Sequence, residues 1–356
     1  MLTSSQADNG STAQPPFSYP SRIKLTLAIL YAAIISMALV GNILVIYILY
    51  KRPETRRLTS FMYVNLAVAD LLVTAVVMPQ SMELIILDNL WIDGTFGELL
   101  AKLIMFVFFV AVTASVFSLT AVAFDFFFGI VLPMQKFPRF RNKKILVPTI
   151  WITSMCLMTP WLITIKVKNS RIEFKFTQFG ETQAALRGIF LYIVVTIYLL
   201  PLVTMCILYG HVCHTLHKHK LPGIAINNHA RTRAHTTKRQ VIHMSIAVVV
   251  AFALCWLPAH AYHMILAIDF SVRESLPYYF MLLCYWCGHA NSVVNPWLLI
   301  YLKKKFRAAF KRMITYPLSR ISFAIKNNES VRSVTKLPIR DQIVQVREHY
   351  QFASSV

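Results

Sequence analysis

Three groups of side chains in this 356-residue sequence have the types and spacing to do chemistry, and all three lie in strongly apolar surroundings. The first centres on Asp70, the one acid in "YVNLAVADLLVTAVVMP", with Asn42, Ser115, Asn291, Ser292 and Asn295 at similar depth in other apolar stretches. A lone carboxylate among amide and hydroxyl oxygens suits a small hard cation or a few ordered waters. The same oxygens serve equally well as a polar network tying helices together. The second group mixes aromatic and weakly basic side chains: Lys102, Phe108, His260, Tyr262, His263, Tyr285, Trp286 and His289. Such a mixture lines pockets for organic ligands, although Tyr and Trp near a membrane interface also face lipid. The third is Asp125, alone in "AVAFDFFFGIVLP" with three phenylalanines behind it. An ionised carboxylate there is costly unless water or another donor reaches it, and Lys238 or a base of the second inner loop is the nearest candidate. Asp125 is either a conformational or protonation latch or a residual acid at the water line.

None of these groups suggests an enzyme. Hydrolysis would need a nucleophile beside a base, or clustered metal ligands. His211, His214, His217 and His219 are densely spaced, but they fit ordinary polar loop residues as well as a loose metal site.

Hydropathy sets the elements that must position these groups. Hydrophobic residues make up 56% of the chain and charged ones only 14%, against roughly 25% charged in ordinary soluble domains; the mean hydropathy is +0.56. The apolar residues fall in seven blocks, about 23–50, 60–84, 99–129, 145–165, 188–213, 240–267 and 277–302. Each reaches the ~20 residues that cross a bilayer core as a helix. Soluble helices carry apolar stripes, whereas these blocks are apolar all round. The expected fold is an all-α transmembrane bundle of seven helices. Pro79, Pro160, Pro201, Pro258 and Pro296 lie within the spans. Each is expected to free a carbonyl and kink its helix, as static geometry or as a hinge.

The net charge of +21 has a topological explanation. With the amino terminus outside, most of the 36 Lys and Arg fall in the inner loops and the tail, while Asp88, Asp93 and Glu98 mark the first outer loop. That is the positive-inside bias, so no nucleic-acid partner is needed. The expected organisation is an extracellular tail over 1–22, a seven-span domain over 23–302, a membrane-surface amphipathic helix over 303–315 and a flexible cytoplasmic tail over 316–356. In "YLKKKFRAAFKRMI", Phe306, Phe310 and Met313 share a face, and the surrounding bases meet lipid phosphates. Residues 1–22 lack the basic start and short apolar core of a cleaved signal, so the first span serves as anchor. Asn9 heads an outer glycosylation sequon. The outer loop 166–187 reads as a lip over a cavity, and the inner loop 214–238 as mobile. All six cysteines fall within or at the ends of spans, so no loop disulfide is expected.

Fragments along 25–315 resemble the rhodopsin-like (class A) G-protein-coupled receptors. They are "GNILV" with Asn42, "NLAVADLL" with Asp70, "SVFSLTAVAFD", Trp151, Pro201 followed by Tyr209, "FALCWLP" with Phe252, Trp256 and Pro258, and "NSVVNP" with Asn291, Asn295 and Pro296. Within that family the chain is most similar to peptide receptors of the tachykinin, neuropeptide Y and galanin kind. The resemblance implies a plasma-membrane receptor with heterotrimeric G-protein and arrestin partners and no resident cofactor. It also implies a sodium site at Asp70, Ser115, Asn291 and Asn295, and a ligand pocket at Lys102, Phe108, His260, His263, Tyr285 and His289. A switch would run through Asp125, Phe126, Tyr209, Phe252, Trp256, Pro258 and Pro296. Phe108 replaces the acid of amine receptors, and span seven has no retinal-binding lysine.

The chain departs from the family pattern at four places. Asp125-Phe126-Phe127 stands for the family's acid-Arg-Tyr, Lys238 lies near the usual span-six acid, and Leu299 replaces a tyrosine. Ala101 replaces one half of the family disulfide, and the second outer loop lacks the other half. The implied function is therefore a peptide-activated receptor. The alternative is a receptor fold that does not couple productively, acting as a decoy, arrestin-biased or modulatory protein.

Overall fold

A computed structural model of the chain describes residues 20–51, 58–88, 90–133, 142–174, 182–218, 229–269, 272, 276, 278–302, 306–308, 310 and 311. The tail bearing Asn9, residues 219–228 with His219, and residues 312–356 lie outside the described residues, as does the side chain of Lys238. The chain divides into two units, 1–303 and 304–356. Of the second unit, residues 306–308, 310 and 311 are described, and they are helical.

Among the described residues of the first unit, six helices are long and apolar enough to cross a membrane: Ser21–Lys51, Leu58–Ile86, Gly94–Ile130, Lys143–Thr164, Arg187–Lys218 and Ile242–Ile268. The first four are α1 to α4. The fifth belongs to α5, which begins at Thr182, and the sixth to α6, which begins at His229. The last helix, α7 (Tyr278–Leu302), is 25 residues long. It carries His289, Asn291, Ser292 and Asn295 along its length and is not among those six.

The burial pattern is that of a protein in lipid. Apolar side chains such as Leu25, Ile43, Val203 and Leu254 are exposed, while Asn42, Asp70, Ser115 and Asn291 are buried. Polar groups in a membrane protein turn inward, where they find one another. α3 is central, packed against α2, α4, α5 and α6, and α7 packs against α6 and α1.

Prolines shape the helices through the hydrogen bonds they cannot make. Pro79 and Pro201 cannot donate to the carbonyls four residues earlier, those of Ala75 and Ile197. At both places the helix widens by one residue per turn just upstream, over Val73–Val77 in α2 and Val194–Leu199 in α5. Pro296 likewise frees the carbonyl of Ser292, and Asn42 of α1 donates its Nδ2 to that oxygen at 2.9 Å. Gly41 permits the approach, since a β-carbon there would fall 2.8 Å from Pro296 Cγ.

Between α4 and α5 the chain forms an antiparallel hairpin of β1 (Ile165–Lys168) and β2 (Arg171–Phe174). Asn169 and Ser170 turn it with φ of 51° and 55°. Ile165 packs with Trp91 and Ala101 in an apolar cluster. Trp91 Nε1 donates to the Gly97 carbonyl (2.8 Å), and the Trp91 amide donates to the Ser170 carbonyl (2.8 Å). The cluster occupies the place where the resemblance expects a disulfide, and all six cysteines are free. The inner-loop expectation also changes, since α6 is helical from His229 and α5 runs on to Lys218.

Candidate functional site

Three connected layers occupy the bundle. In the middle layer, Asp70 of α2 accepts from Asn295 Nδ2 at 3.0 Å and from Ser292 Oγ at 3.3 Å, both on α7. Asn42 closes the group from α1 through the Ser292 carbonyl. Three further buried oxygens lack any hydrogen-bond partner: Ser115 Oγ, Asn291 Oδ1 and Asn295 Oδ1. No hydrogen bond joins Ser115 to Asp70. Among the described residues no three His, Cys, Asp or Glu come together, so a transition-metal centre has no ligand set here. A carboxylate with orphaned neutral oxygens fits a hard monovalent cation or water instead.

Towards the hairpin end lies a buried cluster of aromatic rings and histidines. Phe108 of α3 meets the His289 ring edge-on at 5.6 Å between centroids and the Trp256 ring at 6.1 Å. His260 lies 5.9 Å from Trp256, 4.5 Å from Tyr198 and 5.7 Å from His263. His263 stacks on Phe190 at 5.4 Å and shares a 2.7 Å hydrogen bond between its Nε2 and Tyr285 Oη. His289 Nδ1 shares a 3.2 Å hydrogen bond with the Tyr31 hydroxyl. The remaining polar atoms are unmatched: both ring nitrogens of His260, His263 Nδ1, His289 Nε2, Trp256 Nε1, Trp286 Nε1 and Gln80 Nε2 are buried without a partner. Buried polar atoms are rarely left so, and those of His260, His263, His289 and Trp256, joined through ring contacts, mark a place for ligand or ordered water.

One expected residue pairs elsewhere: Lys102 donates to Glu98 Oε1 at 2.7 Å, and Lys166 of the hairpin reaches the same oxygen at 3.1 Å. Tyr262 borders the rings, 6.4 Å from His263, and packs with Leu266, Cys284 and Phe190. Sequence reasoning had not singled out Tyr31, Gln80, Phe190 or Tyr198. Tyr31 and Tyr198 carry the signal of a polar aromatic inside a span, whereas Phe190 carries none.

At the opposite end, Thr59 of α2 donates to Asp125 Oδ2 at 3.0 Å. Phe126 is buried, with its ring 6.4 Å from that of Tyr209. Tyr63 of α2 and Ser245 of α6 share a 2.7 Å hydrogen bond. Asn65 donates to Ser118 Oγ (2.8 Å) and accepts from Trp151 Nε1 (2.8 Å), joining α2, α3 and α4. Phe252 is fully buried near Tyr198, and Leu299 is also buried.

The structure is a multi-span helical bundle with buried polar groups at its core. Residues 41–300 match the family described as 7 transmembrane receptor (rhodopsin family), and the chain belongs to that family. It is therefore a class A G-protein-coupled receptor, a signal transducer rather than an enzyme.

Several curated proteins are similar to it. The Tachykinin-like peptides receptor 86C of Drosophila melanogaster is 28% identical over 344 residues, covering 90% of this chain and 67% of that protein. The QRFP-like peptide receptor of Branchiostoma floridae is 28% identical over 324 residues, covering 86% and 83%. The Neuromedin-K receptor of Rattus norvegicus is 30% identical over 300 residues, covering 83% and 65%. The chain thus spans about two thirds of the length of the tachykinin-like and neuromedin-K relatives it matches.

Proposed function

We propose that this receptor binds a short extracellular peptide at the cluster of Phe108, Trp256, His260, His263, Tyr285 and His289, together with Lys102, and transmits the event across the plasma membrane. The carrying observation is the set of buried, unpartnered nitrogens of Trp256, His260, His263 and His289, linked by ring contacts through His260 and Phe108. A ligand group that satisfies them shifts the Trp256 side chain and with it α6, a population shift driven by differential contacts. Lys102, tied to Glu98, guards the rim. The relatives named as peptide receptors support the ligand class.

In this reading α7 is the seventh crossing, the amino terminus with Asn9 as a glycosylation site is extracellular, and the carboxyl terminus is cytoplasmic. The basic inner segments support that orientation. Residues 303–315 lie on the inner leaflet as an amphipathic helix. Asp70, Ser115, Asn291 and Asn295 hold a sodium ion that steadies the closed bundle. Asp125, Phe126, Tyr209, Phe252, Trp256, Pro258 and Pro296 carry the movement to a heterotrimeric G protein, with arrestin as a second partner.

A specific observation favours a second reading, a receptor that does not couple productively. Phe126 replaces the expected arginine and is buried against Tyr209, and buried Leu299 replaces the expected tyrosine. Nucleotide exchange on a panel of purified G proteins separates the two. The reconstituted receptor and Phe126→Arg are compared with and without synthetic tachykinin-like and QRFP-like peptides. Exchange by the native chain supports coupling. Exchange by the arginine form alone supports a decoy or modulatory role.

A further inference from the structure

The hairpin between α4 and α5 carries more positive charge than its place in the bundle explains. In β1 and β2 the bases Lys166, Lys168 and Arg171 stand against one acid, Glu173, and Lys175 follows in the sequence. In the orientation proposed above this segment is extracellular, where short loops are depleted of Lys and Arg. The first outer loop obeys that bias, with Asp88, Asp93 and Glu98 and no base between Asp88 and Lys102. Topology gives no reason for the bases of the hairpin, whereas a partner of opposite charge does.

The strands put those bases together. Ile165, Val167 and Ile172 pack with Trp91, so alternation and register place Lys166, Lys168 and Arg171 on the opposite face. α3 focuses the charge further. Glu98 Oε1 accepts from Lys102 Nζ at 2.7 Å and from Lys166 Nζ at 3.1 Å. One oxygen thus gathers two ammonium groups within about 6 Å of each other, a spacing at which they repel. Each ammonium has three N–H donors and gives one to Glu98, which leaves the pair able to hold a second carboxylate. The Lys102 and Lys166 side chains are 21% and 46% exposed, so both are reachable from water.

We propose that Lys102 and Lys166, gathered by Glu98, form with this basic face a mouth that binds a carboxylate of the peptide ligand. The mouth rests on the peptide reading and narrows it to peptides that carry an acid. Lys102 lies six residues from Phe108, about 9 Å of helix rise. An extended peptide covers that span in about three residues, which sets the spacing between its acid and the group that reaches Phe108. Exposed ion pairs add little affinity each, so the mouth selects among ligands and speeds their encounter more than it tightens binding.

Two measurements on the full receptor in lipid nanodiscs test it. The first needs no knowledge of the ligand: lysines are trace-acetylated in the presence of hexaglutamate or hexaglutamine, and mass spectrometry reads each site. Hexaglutamate is expected to slow acetylation of Lys102 and Lys166 more than that of Lys143 and Lys144 of α4. Hexaglutamine should slow none of them, and high salt should abolish the difference. Equal labelling of Lys102 and Lys166 with the two probes would overturn the mouth.

The second places Asp or Asn at each position in turn of synthetic tachykinin-like and QRFP-like peptides and reads binding. At one position Asp is expected to bind about fivefold more tightly than Asn, the upper range for an exposed ion pair. Lys102→Gln or Lys166→Gln should erase that preference, and Lys166→Arg should keep it. Glu98→Gln should enlarge it, because a competing carboxylate is gone. If the three charges only fasten the hairpin, Glu98→Gln will instead weaken Asp and Asn forms alike, and the mouth is refuted. A preference spread evenly over all positions refutes it as well. If no peptide binds, the peptide reading falls and the acetylation difference alone decides the mouth.

Discussion

Gly288 of α7 lies directly beneath the indole of Trp256 on α6: a β-carbon at position 288 would fall 2.9 Å from two of the ring carbons. Real β-carbons do not approach so closely, so any side chain at 288 must displace the ring. The neighbours leave it little room, because Phe108 and His260 flank the same indole. Gly288→Ala is therefore expected to destabilise the receptor by about 1–3 kcal/mol through overpacking. It should also change basal signalling or peptide response, since the displaced ring sits in the proposed relay. Thermal unfolding in nanodiscs checks the first effect and nucleotide exchange the second. An alanine variant with native melting and native response would show that the contact is soft.

The Asn42–Ser292 bond gives a prediction with its own internal control. Pro296 lacks the amide that would satisfy the Ser292 carbonyl, and Asn42 satisfies it from α1 at 2.9 Å. Asn42→Ala leaves that carbonyl without its donor and is expected to cost about 1–3 kcal/mol. In a Pro296→Ala background the helix regains its own donor, so the same Asn42→Ala change should cost less. A double-mutant cycle on thermal unfolding measures the coupling directly. Equal costs in both backgrounds would mean that Asn42 acts elsewhere.

These contacts also show what the sequence could reveal. The spans were legible to within a few residues at most ends because bilayer thickness imposes helix length on an apolar block. Asp70, Asn291 and Asn295 were legible as polar residues in apolar stretches, and Asn295 duly bonds Asp70. Which oxygen meets which depends on the rotation of α2 against α7, and spacing within one helix does not encode that. The Thr59–Asp125 bond was hidden for the same reason, since its partners lie 66 residues apart.

Two features were present in the pattern and passed over. Lys102 lies four residues after Glu98, the spacing at which helical neighbours pair, and they do pair. "IKVKNSRIEF" alternates apolar and polar residues on both sides of Asn-Ser, which is a hairpin signal. The structure folds it as one.

The sodium reading predicts a cation-specific stabilisation. Native receptor should melt at a higher temperature in sodium chloride than in the same concentration of N-methylglucamine chloride, because a ligand bound to the folded state stabilises it by mass action. Asp70→Asn removes the one carboxylate of the cluster and keeps an amide of nearly the same shape. That variant is expected to melt at one temperature in both salts. If the native chain also melts identically in both, the orphaned oxygens of Ser115, Asn291 and Asn295 hold water.

The hairpin end offers the last test, because the chain anchors it without a disulfide. Ile165 packs against Trp91 and Ala101, while Trp91 donates to the Gly97 carbonyl through its indole and to the Ser170 carbonyl through its amide. The indole links the start of α3 to the first residue of the hairpin, and its replacement removes both a large apolar surface and a buried hydrogen bond. Trp91→Ala is expected to cost about 3–5 kcal/mol locally, the range for an aromatic lost from a core. It should be felt as faster hydrogen exchange over 165–174, with the α2–α7 interior protected as before. A reducing agent should alter neither the exchange pattern nor the melting temperature of the native chain, since all six cysteines are already free. If Trp91→Ala left exchange over 165–174 unchanged, the Lys166–Glu98 pair and the strand pairing would have to hold the hairpin instead.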